Sequence, residues 1–345
     1  MRALKSVLGT SLMGEQRMFL GEKMTFYDII ARFLSEVKSR AEAHCHQSFE
    51  FALSGRPVRF HSVDAARNAK AEADLVECYA RAGFKDVRFL VEPEAAALAS
   101  GVAQGDELSL IVDIGGGTSD FSVFRAHSDG IAILANHGVR IGGTDFDRSI
   151  NFNRVMPLLG KGTELRKAIG PGATPVPVAI YNDLATWEKI PFLYTAKTRR
   201  MVEDMARMAY EPDKMNRLAT VLEDELGHDL AFAVERGKIA ANSGDANSII
   251  ALDQIERGLS TTLPIDVMAE ILDVHAQALR EGARETLRMA QIDTSKVQRV
   301  IYVGGSSLMS MVSDTMKAQF PKAEHSFSEV FTAVTDGLAL AAARR

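Results

Sequence analysis

The sequence predicts a mixed α/β protein built as two lobes interleaved along the chain. Three observations predict this. At 345 residues the chain is long enough for two hydrophobic cores. Short apolar runs bounded by turn residues alternate in blocks with amphipathic helical stretches. No block repeats another, and no low-complexity or linker-like segment separates them.

Taken in order, residues 26–49 place Phe26, Ile29, Ile30, Phe33, Leu34 and Val37 at i, i+3, i+4, i+7 spacing, a helix with one buried face. Residues 49–60 hold a short apolar strand that breaks at Gly55 and Pro57, and 65–82 predict a helix closed by Gly83. Residues 87–91 form a strand. Glu92-Pro93-Glu94 then starts a helix, since proline suits the first helical position and acidic residues there complement the helix dipole. Strand-like runs at 108–114, 121–125 and 131–137, with turn residues between them, predict a hairpin meander. Gly142-Gly143 turns into a helix with Thr144 as its expected N-cap. Residues 159–191, rich in Gly and Pro, read as an insertion or loop-rich subdomain. Helical stretches at 197–218 and 219–242 follow. A strand at 248–255, a long helix at 264–290, a strand at 297–303 and helices at 307–320 and 331–343 complete the chain.

A net charge of −5 gives no basic footprint, which argues against nucleic acid as the main partner. The two cysteines, Cys45 and Cys78, cannot build a disulfide framework and suit a reducing cytoplasm. No stretch reaches the length of a membrane span and no leader-type apolar segment opens the chain, so a cytoplasmic protein without a membrane partner is expected. His44-Cys45-His46 invites a metal, but adjacent helical residues point in different directions. The methionines fall mostly at core-like helical positions. The charge-rich stretch 199–224 reads as a solvated helix face.

The chemistry is concentrated at residues 108–123, LSLIVDIGGGTSDFSV. Here the glycines join two strands, so Gly115, Gly116 and Gly117 form a hairpin turn whose N–H groups make an anion-binding nest, unlike the strand-to-helix turn of a P-loop. Asp113 and Asp120 close the two strand ends, near enough to hold magnesium through water, its usual mode with phosphates. Thr118 lies beside them. A second glycine site, Tyr302-Val303-Gly304-Gly305-Ser306-Ser307, lets a flat base or ribose approach the backbone.

These segments resemble the nucleotide-binding domain of the DnaK-type heat shock protein 70 chaperones, and within them the YegD-like subgroup. Five carry the likeness in the family's order: ALKSVLG at 3–9, VEPEAAALASG at 91–101, the glycine turn, GVRIGGTDFD at 138–147 and VGGSS at 303–307. VERGK at 234–238 resembles the family's adenosine-facing helix. The resemblance implies an actin-like ATPase (ribonuclease H-like) α/β fold of two lobes. The first lobe, 1–107, would be incomplete. The second, 108–330, would carry a loop-rich insertion at about 153–195 and a helical subdomain at 197–245. Residues 331–345 would form a helix returning to the first lobe.

The resemblance also implies roles. Lys5 would reach the γ-phosphate, Glu92 would be the carboxylate on the magnesium side, and Asp113 and Asp120 would be metal-shell and water-orienting aspartates. Gly115, Gly116, Gly117 and Thr118, with Gly142 and Gly143, would line the phosphates. Glu235 and Lys238 would face the ribose, and Gly304, Gly305 and Ser306 would lie under the adenosine. Pro57 falls where the family keeps a proline that relays nucleotide state between lobes.

Three departures matter. The family opens with a strand ending in Asp-x-Gly-Thr, its first phosphate loop. Here Val7-Leu8-Gly9-Thr10-Ser11 has valine where the aspartate should stand, and is read as the later lysine loop of an N-terminally shortened chain. Two arginines that sandwich the adenine fall at Ile239 and Leu308, and a chain without the family's substrate-binding domain is expected. The expected activity is therefore ATP binding with magnesium and ATP hydrolysis impaired by the missing loop. Lobe closure would serve protein folding or the binding of clients and cochaperones. The alternatives are a catalytically inactive actin-fold interaction module, or a sugar- or acetate-type kinase.

Overall fold

The computed structural model describes residues 7–19, 21–58, 60, 64–100, 106–127, 130–167, 170–327 and 332–343. A 3-10 turn at Ser11–Gly14 and a small hairpin, β1 (Arg17–Phe19) and β2 (Glu22–Met24), lead into helix α1 (Phe26–Cys45). Then come β3 (Phe51–Arg56), α2 (Ala65–Arg81), β4 (Asp86–Val91) and α3 (Glu92–Ala99). The meander is β5 (Leu108–Ile114), β6 (Ser119–His127) and β7 (Gly130–Val139), followed by α4 (Gly143–Ile150). Beyond it lie the hairpin β8 (Glu164–Arg166) and β9 (Ala173–Pro175), then α5 (Ala179–Ala185), α6 (Ala196–Met208), α7 (Pro212–Glu223) and α8 (Gly227–Asn242). The chain continues through β10 (Ile249–Ala251), β11 (Ser260–Thr262), α9 (Ile265–Met289), β12 (Arg299–Val303), α10 (Ser310–Gln319), β13 (Glu324–Phe327) and α11 (Ala333–Ala343).

The apolar runs at β5 and β12 become the centre of a five-stranded sheet, ordered β13-β12-β5-β6-β7. β5, β6 and β7 pair antiparallel, as the meander pattern predicts, whereas β12 lies parallel to β5 and β13 parallel to β12. Burial on both faces explains why β5 reads as an unbroken apolar run. Leu110, Val112 and Ile114 enter the large core with α4, α9 and α10. Ile111 faces the other way, with Phe124, Ile301 and Val303, against Ala96 and Ala97 of α3 and Ala333 of α11. The 159–191 segment is not a loose insertion: Val176, Ile180, Tyr181 and Leu184 are buried in that same large core.

On the other side, β3 and β4 form a parallel pair joined by α2. The order β3-α2-β4-α3 is repeated by β12-α10-β13-α11. In the second set β5 pairs with β12; among the described residues β3 pairs only with β4. α3 and α11 pack so closely that a Cβ on Gly337 would run into the Ala95 carbonyl. The other side of α11 covers β3, where Val334 and Leu338 lie within 3.4 Å of a Cβ built on Gly55.

Several elements differ from the sequence reading, each for a local reason. α1 ends at Cys45, with His46 in the left-handed region (φ 51°), and starts with a reciprocal cap between Thr25 and Asp28. Its predicted apolar face is only half covered: Ile30 is buried and Leu34 packs beside it, whereas Phe33 and Val37 are exposed. The two helices expected across 197–242 are three, because Pro212 starts a new helix and Asp224 ends it. The 248–255 strand shrinks to the three residues of β10, paired with β11. β13, too short and polar to show a strand pattern, was not expected. The helix expected from 307 begins as a 3-10 turn at Gly305–Leu308, and α10 starts at Ser310.

Val7 and Leu8 are buried against α1 and α2. The LGTS stretch is therefore a structural turn, with Gly9 at φ +76° and its amide donating to Asp74 Oδ2 at 2.8 Å. Asp74 also accepts from Tyr27 Oη (2.5 Å) and Lys70 Nζ (3.1 Å). Burial pushes the Asp74 carboxyl up, but the Tyr27, Gly9 and Lys70 bonds outweigh it and hold it below the usual carboxylate range. Tyr27 is pushed up to about 12, first by burial and then by its bond to Asp74.

This cluster ties stability to pH at both ends. The depressed Asp74 contributes above its unfolded value, and that contribution is lost as pH falls through the folded one. Tyr27 must stay neutral, so stability is lost as pH rises from the ordinary tyrosine value of about 10 toward about 12. Asp74→Asn is expected to cost about 1–3 kcal/mol at neutral pH in urea unfolding. It should also flatten the loss at both pH extremes; an unchanged pH profile would remove the cluster from this role.

Candidate functional site

Strands β5, β7 and β12 run in the same direction, so their carboxyl ends share one edge of the sheet, where ligands of open α/β sheets bind. Three glycine segments meet there. Gly115, Gly116 and Gly117 turn β5 into β6, and the Gly115 amide closes the turn on the Thr118 carbonyl at 2.9 Å. Gly142 and Gly143 lie behind it. Gly143 N donates to Gly115 O (3.0 Å), while Thr144 N and Oγ1 both donate to Gly116 O (2.7 Å each). A Cβ on Gly142 would meet Gly117 N at 2.5 Å and Gly116 C at 2.6 Å, and one on Gly143 would strike Ser306 Oγ.

The third segment closes the group. Gly304 has φ +82°, and a Cβ there would sit 2.5 Å from Ile114 O and 2.8 Å from Asp113 Oδ1. Only glycine tolerates both the conformation and the approach. The Ser307 hydroxyl and amide both donate to the Gly304 carbonyl (2.7 and 3.0 Å), fixing the turn. Thr144 is thus not the N-cap of α4. Gly142 holds that position, its amide donating to Asp145 Oδ2 at 3.0 Å, and Thr144 secures the glycine turn instead.

Asp113 and Asp120 stand directly opposite each other in the β5–β6 register, both half-buried. Asp120 lies against Gly138 of β7, whose Cβ would come within 2.8 Å of Oδ1. The two carboxylates therefore share one face of the sheet, with glycines at 304 and 138 on either side. Gly116 and Gly117 are exposed, and their amides have no protein acceptor among the described residues. The arrangement offers an open nest of donors beside two acidic groups.

The nucleoside-side residues lie around α8. Lys238 is buried and its ammonium is held by Asp147 of α4 at 2.7 Å, so it braces α8 against the helix that leaves the glycine turn. Glu235, nearly one turn earlier, is half-buried. Asn242 clamps the end of α8 to the 305–308 turn, Nδ2 donating to Leu308 O (3.0 Å) and Oδ1 accepting from Ser310 N (2.7 Å). Beside this clamp Ile239 and Leu308 are 59% and 47% exposed, two aliphatic side chains at the positions expected to flank a base. Opposite, α4 is tied to α9 by Ser149 Oγ and His275 Nε2 at 2.7 Å. Burial lowers the His275 pKa against the pull of Asp145.

Among the expected site residues, the contacts bring together Asp113, Asp120, Gly115, Gly116, Gly117, Thr118, Gly142, Gly143, Gly304 and Ser306. Gly305 is exposed at the start of the same 3-10 turn. Glu92 opens α3 at the end of β4, its Cγ near Gly55 of β3, and Pro57 follows β3 directly. Lys5 lies outside the described residues. Among the described residues no three His, Cys, Asp or Glu side chains converge as a direct metal-ligand set. Sequence reasoning missed Asp147 and Asn242. Asp147 sits in the GGTDFD segment, where a partner for Lys238 could have been sought. Asn242 is an ordinary helix-end residue with no pattern to mark it.

With this geometry in view, the Hsp70 protein family model matches residues 9–156, from the N-terminal turn through the meander and α4. Over that segment, which includes the 115–117 and 142–143 turns, the chain is similar to the Hsp70 family.

Two substitutions test the construction. Lys238→Met leaves Asp147 without its ammonium partner and should cost about 3 kcal/mol in urea unfolding, and adding Asp147→Leu should recover most of the loss. Gly304→Ala forces a side chain into the left-handed region against the Ile114 carbonyl and should cost about 2 kcal/mol or more by the same measurement.

Proposed function

We propose that the chain is an ATP-binding, chaperone-like protein of the DnaK/YegD type, taking ATP with magnesium at the shared carboxyl ends of β5, β7 and β12. The observation that carries the reading is the meeting of three glycine segments around a facing pair of aspartates. The residues fit a polyphosphate: the Gly116 and Gly117 amides open to solvent, and the glycines leave no side chain in the way. They also fit a magnesium ion held through water, since Asp113 and Asp120 supply oxygens of the type it prefers, without a closed protein cage.

In this reading the base enters between Ile239 and Leu308, whose aliphatic walls replace cationic stacking and give up about 1 kcal/mol at each face. Glu235 faces the ribose, and the Gly304–Gly305 turn lets the nucleoside approach the backbone. Magnesium, when bound, neutralises charge on the terminal phosphates. Asp113 or Asp120 orients the attacking water, and the glycine turn holds the phosphates in line. Glu92 and Lys5 would act from the first-lobe side, and closure of that side onto the nucleotide would report its state to clients or cochaperones.

A second reading, a nucleotide-independent interaction module that keeps the fold and has lost the enzyme, is favoured by the aliphatic pair at Ile239 and Leu308. Calorimetry of the full chain with ATP–Mg, repeated in EDTA, separates the two. The ATPase reading expects a magnesium-dependent heat, weakened by about tenfold or more in Gly142→Val. Absence of any heat with ATP–Mg would sink it.

A further inference from the structure

A nucleoside triphosphate brings close to four negative charges to this edge, of which a bound magnesium would offset two, and Asp113 and Asp120 add to the remainder. Glycine amides alone offset that poorly, so a site of this kind needs a side-chain cation. Lys238 is consumed by Asp147 at 2.7 Å. Arg148 is turned away, bonded to Thr186 Oγ1 (3.1 Å) and Asn182 Oδ1 (3.4 Å). Arg140 differs from both. It is exposed, and its guanidinium makes no hydrogen bond or ion pair among the described residues.

Its place in the fold is defined. β7 ends at Val139, opposite Ser119 in the β6 register, and Arg140 follows it directly, two residues before the Gly142–Gly143 turn. Val139 points toward α9, its Cγ1 lying 3.3 Å from a Cβ built on Gly282. Gly138 lies on the opposite face, against the Asp120 carboxylate. Arg140 is a bend residue just past the strand, and continuing the alternation of β7 by one residue puts it on the face of Gly138, Asp120 and Asp113. The sheet order also gives it an end of the site. From β12, which carries the Gly304 turn beside Leu308, three strand spacings cross β5 and β6 to β7, about 14 Å at about 4.8 Å each. That is roughly the reach of an extended nucleoside triphosphate, and it puts Arg140 at the phosphate end.

We propose that Arg140 is the described side-chain cation that binds the terminal phosphate of the nucleotide, in addition to the Lys5 that the resemblance assigns to the γ-phosphate, and that it sets the preference for triphosphate over diphosphate. The inference rests on the proposed nucleotide site. A planar guanidinium can take two phosphate oxygens at once, and its fixed charge lets it act where Lys238 is committed elsewhere.

Isothermal titration of the full chain with ATP–Mg and with ADP–Mg tests it, in the wild type, Arg140→Gln and Arg140→Lys. The expected result is a loss of about tenfold or more in ATP affinity for Arg140→Gln, with ADP affinity changed by less than about threefold. Arg140→Lys should recover part of the ATP affinity and none of the bidentate gain. The thermal midpoints of the unliganded proteins should agree, because Arg140 holds no contact in the fold. If the wild type binds ATP–Mg and Arg140→Gln binds it equally well, or loses ATP and ADP affinity alike, the role of Arg140 is overturned and the site stands. If the wild type binds neither nucleotide, the site and the inference fall together.

Discussion

The candidate site depends on backbone meeting backbone with no side chain between. The 115–117 turn, the start of α4 and the 304–305 turn come from three distant parts of the sequence. Each is held to the next at distances that a single Cβ would break: 2.5 Å at Gly142 and 2.5 Å at Gly304. The hydrogen bonds from Gly143 and Thr144 to the Gly115 and Gly116 carbonyls convert that closeness into a fixed geometry. Because carbonyls point inward to these bonds, the Gly116 and Gly117 amides are left facing solvent. The open row of amide donors is thus a by-product of how the turn is anchored.

A second close approach couples this edge to the rest of the molecule. α3 and α11 touch through Ala95 and Gly337, with no room for a larger residue at 337. One side of that pair packs on β5, β6 and β12 through Ala96, Ala97 and Ala333. The other side covers β3, where Gly55 accepts Val334 and Leu338. Small residues on both helices are what let one thin layer contact two sheets. A shift of the β3–β4 side would therefore be felt directly under β5, which carries Asp113, and β12, which leads into Gly304.

What was legible in the sequence follows from how local each signal is. The meander, the glycine hairpin and the register of Asp113 opposite Asp120 rest on runs of under ten residues, and all three are present in the structure. The helix breaks at Pro212 and His46 turn on single local residues that a periodicity reading passes over, and the three-residue β10 and four-residue β13 are too short to leave a periodic trace. α1 shows the limit of amphipathic reasoning: its stripe marks a helix correctly, but what covers each part of that stripe is a tertiary fact, and Phe33 and Val37 are uncovered. Thr144 shows another. A threonine after a glycine pair reads as a cap, yet its hydroxyl does more by holding Gly116 from across the site, a partner 28 residues away.

Charge at the site follows the same division between local pattern and long-range pairing. The sequence shows lysine at 238 and arginines at 140 and 148 without ranking them. The fold ranks them by what each already holds. Lys238, buried on α8, must be neutralised where it sits, and Asp147 does so; an unpaired ammonium there would cost more than the bond to a transient ligand could return. Arg148 lies on the outer side of α4 and braces the α5 end. Arg140 stands where β7 runs out, two residues before the Gly142–Gly143 turn, and it is solvated. A solvated arginine costs the fold nothing to keep unpaired, and its charge remains available to an arriving anion.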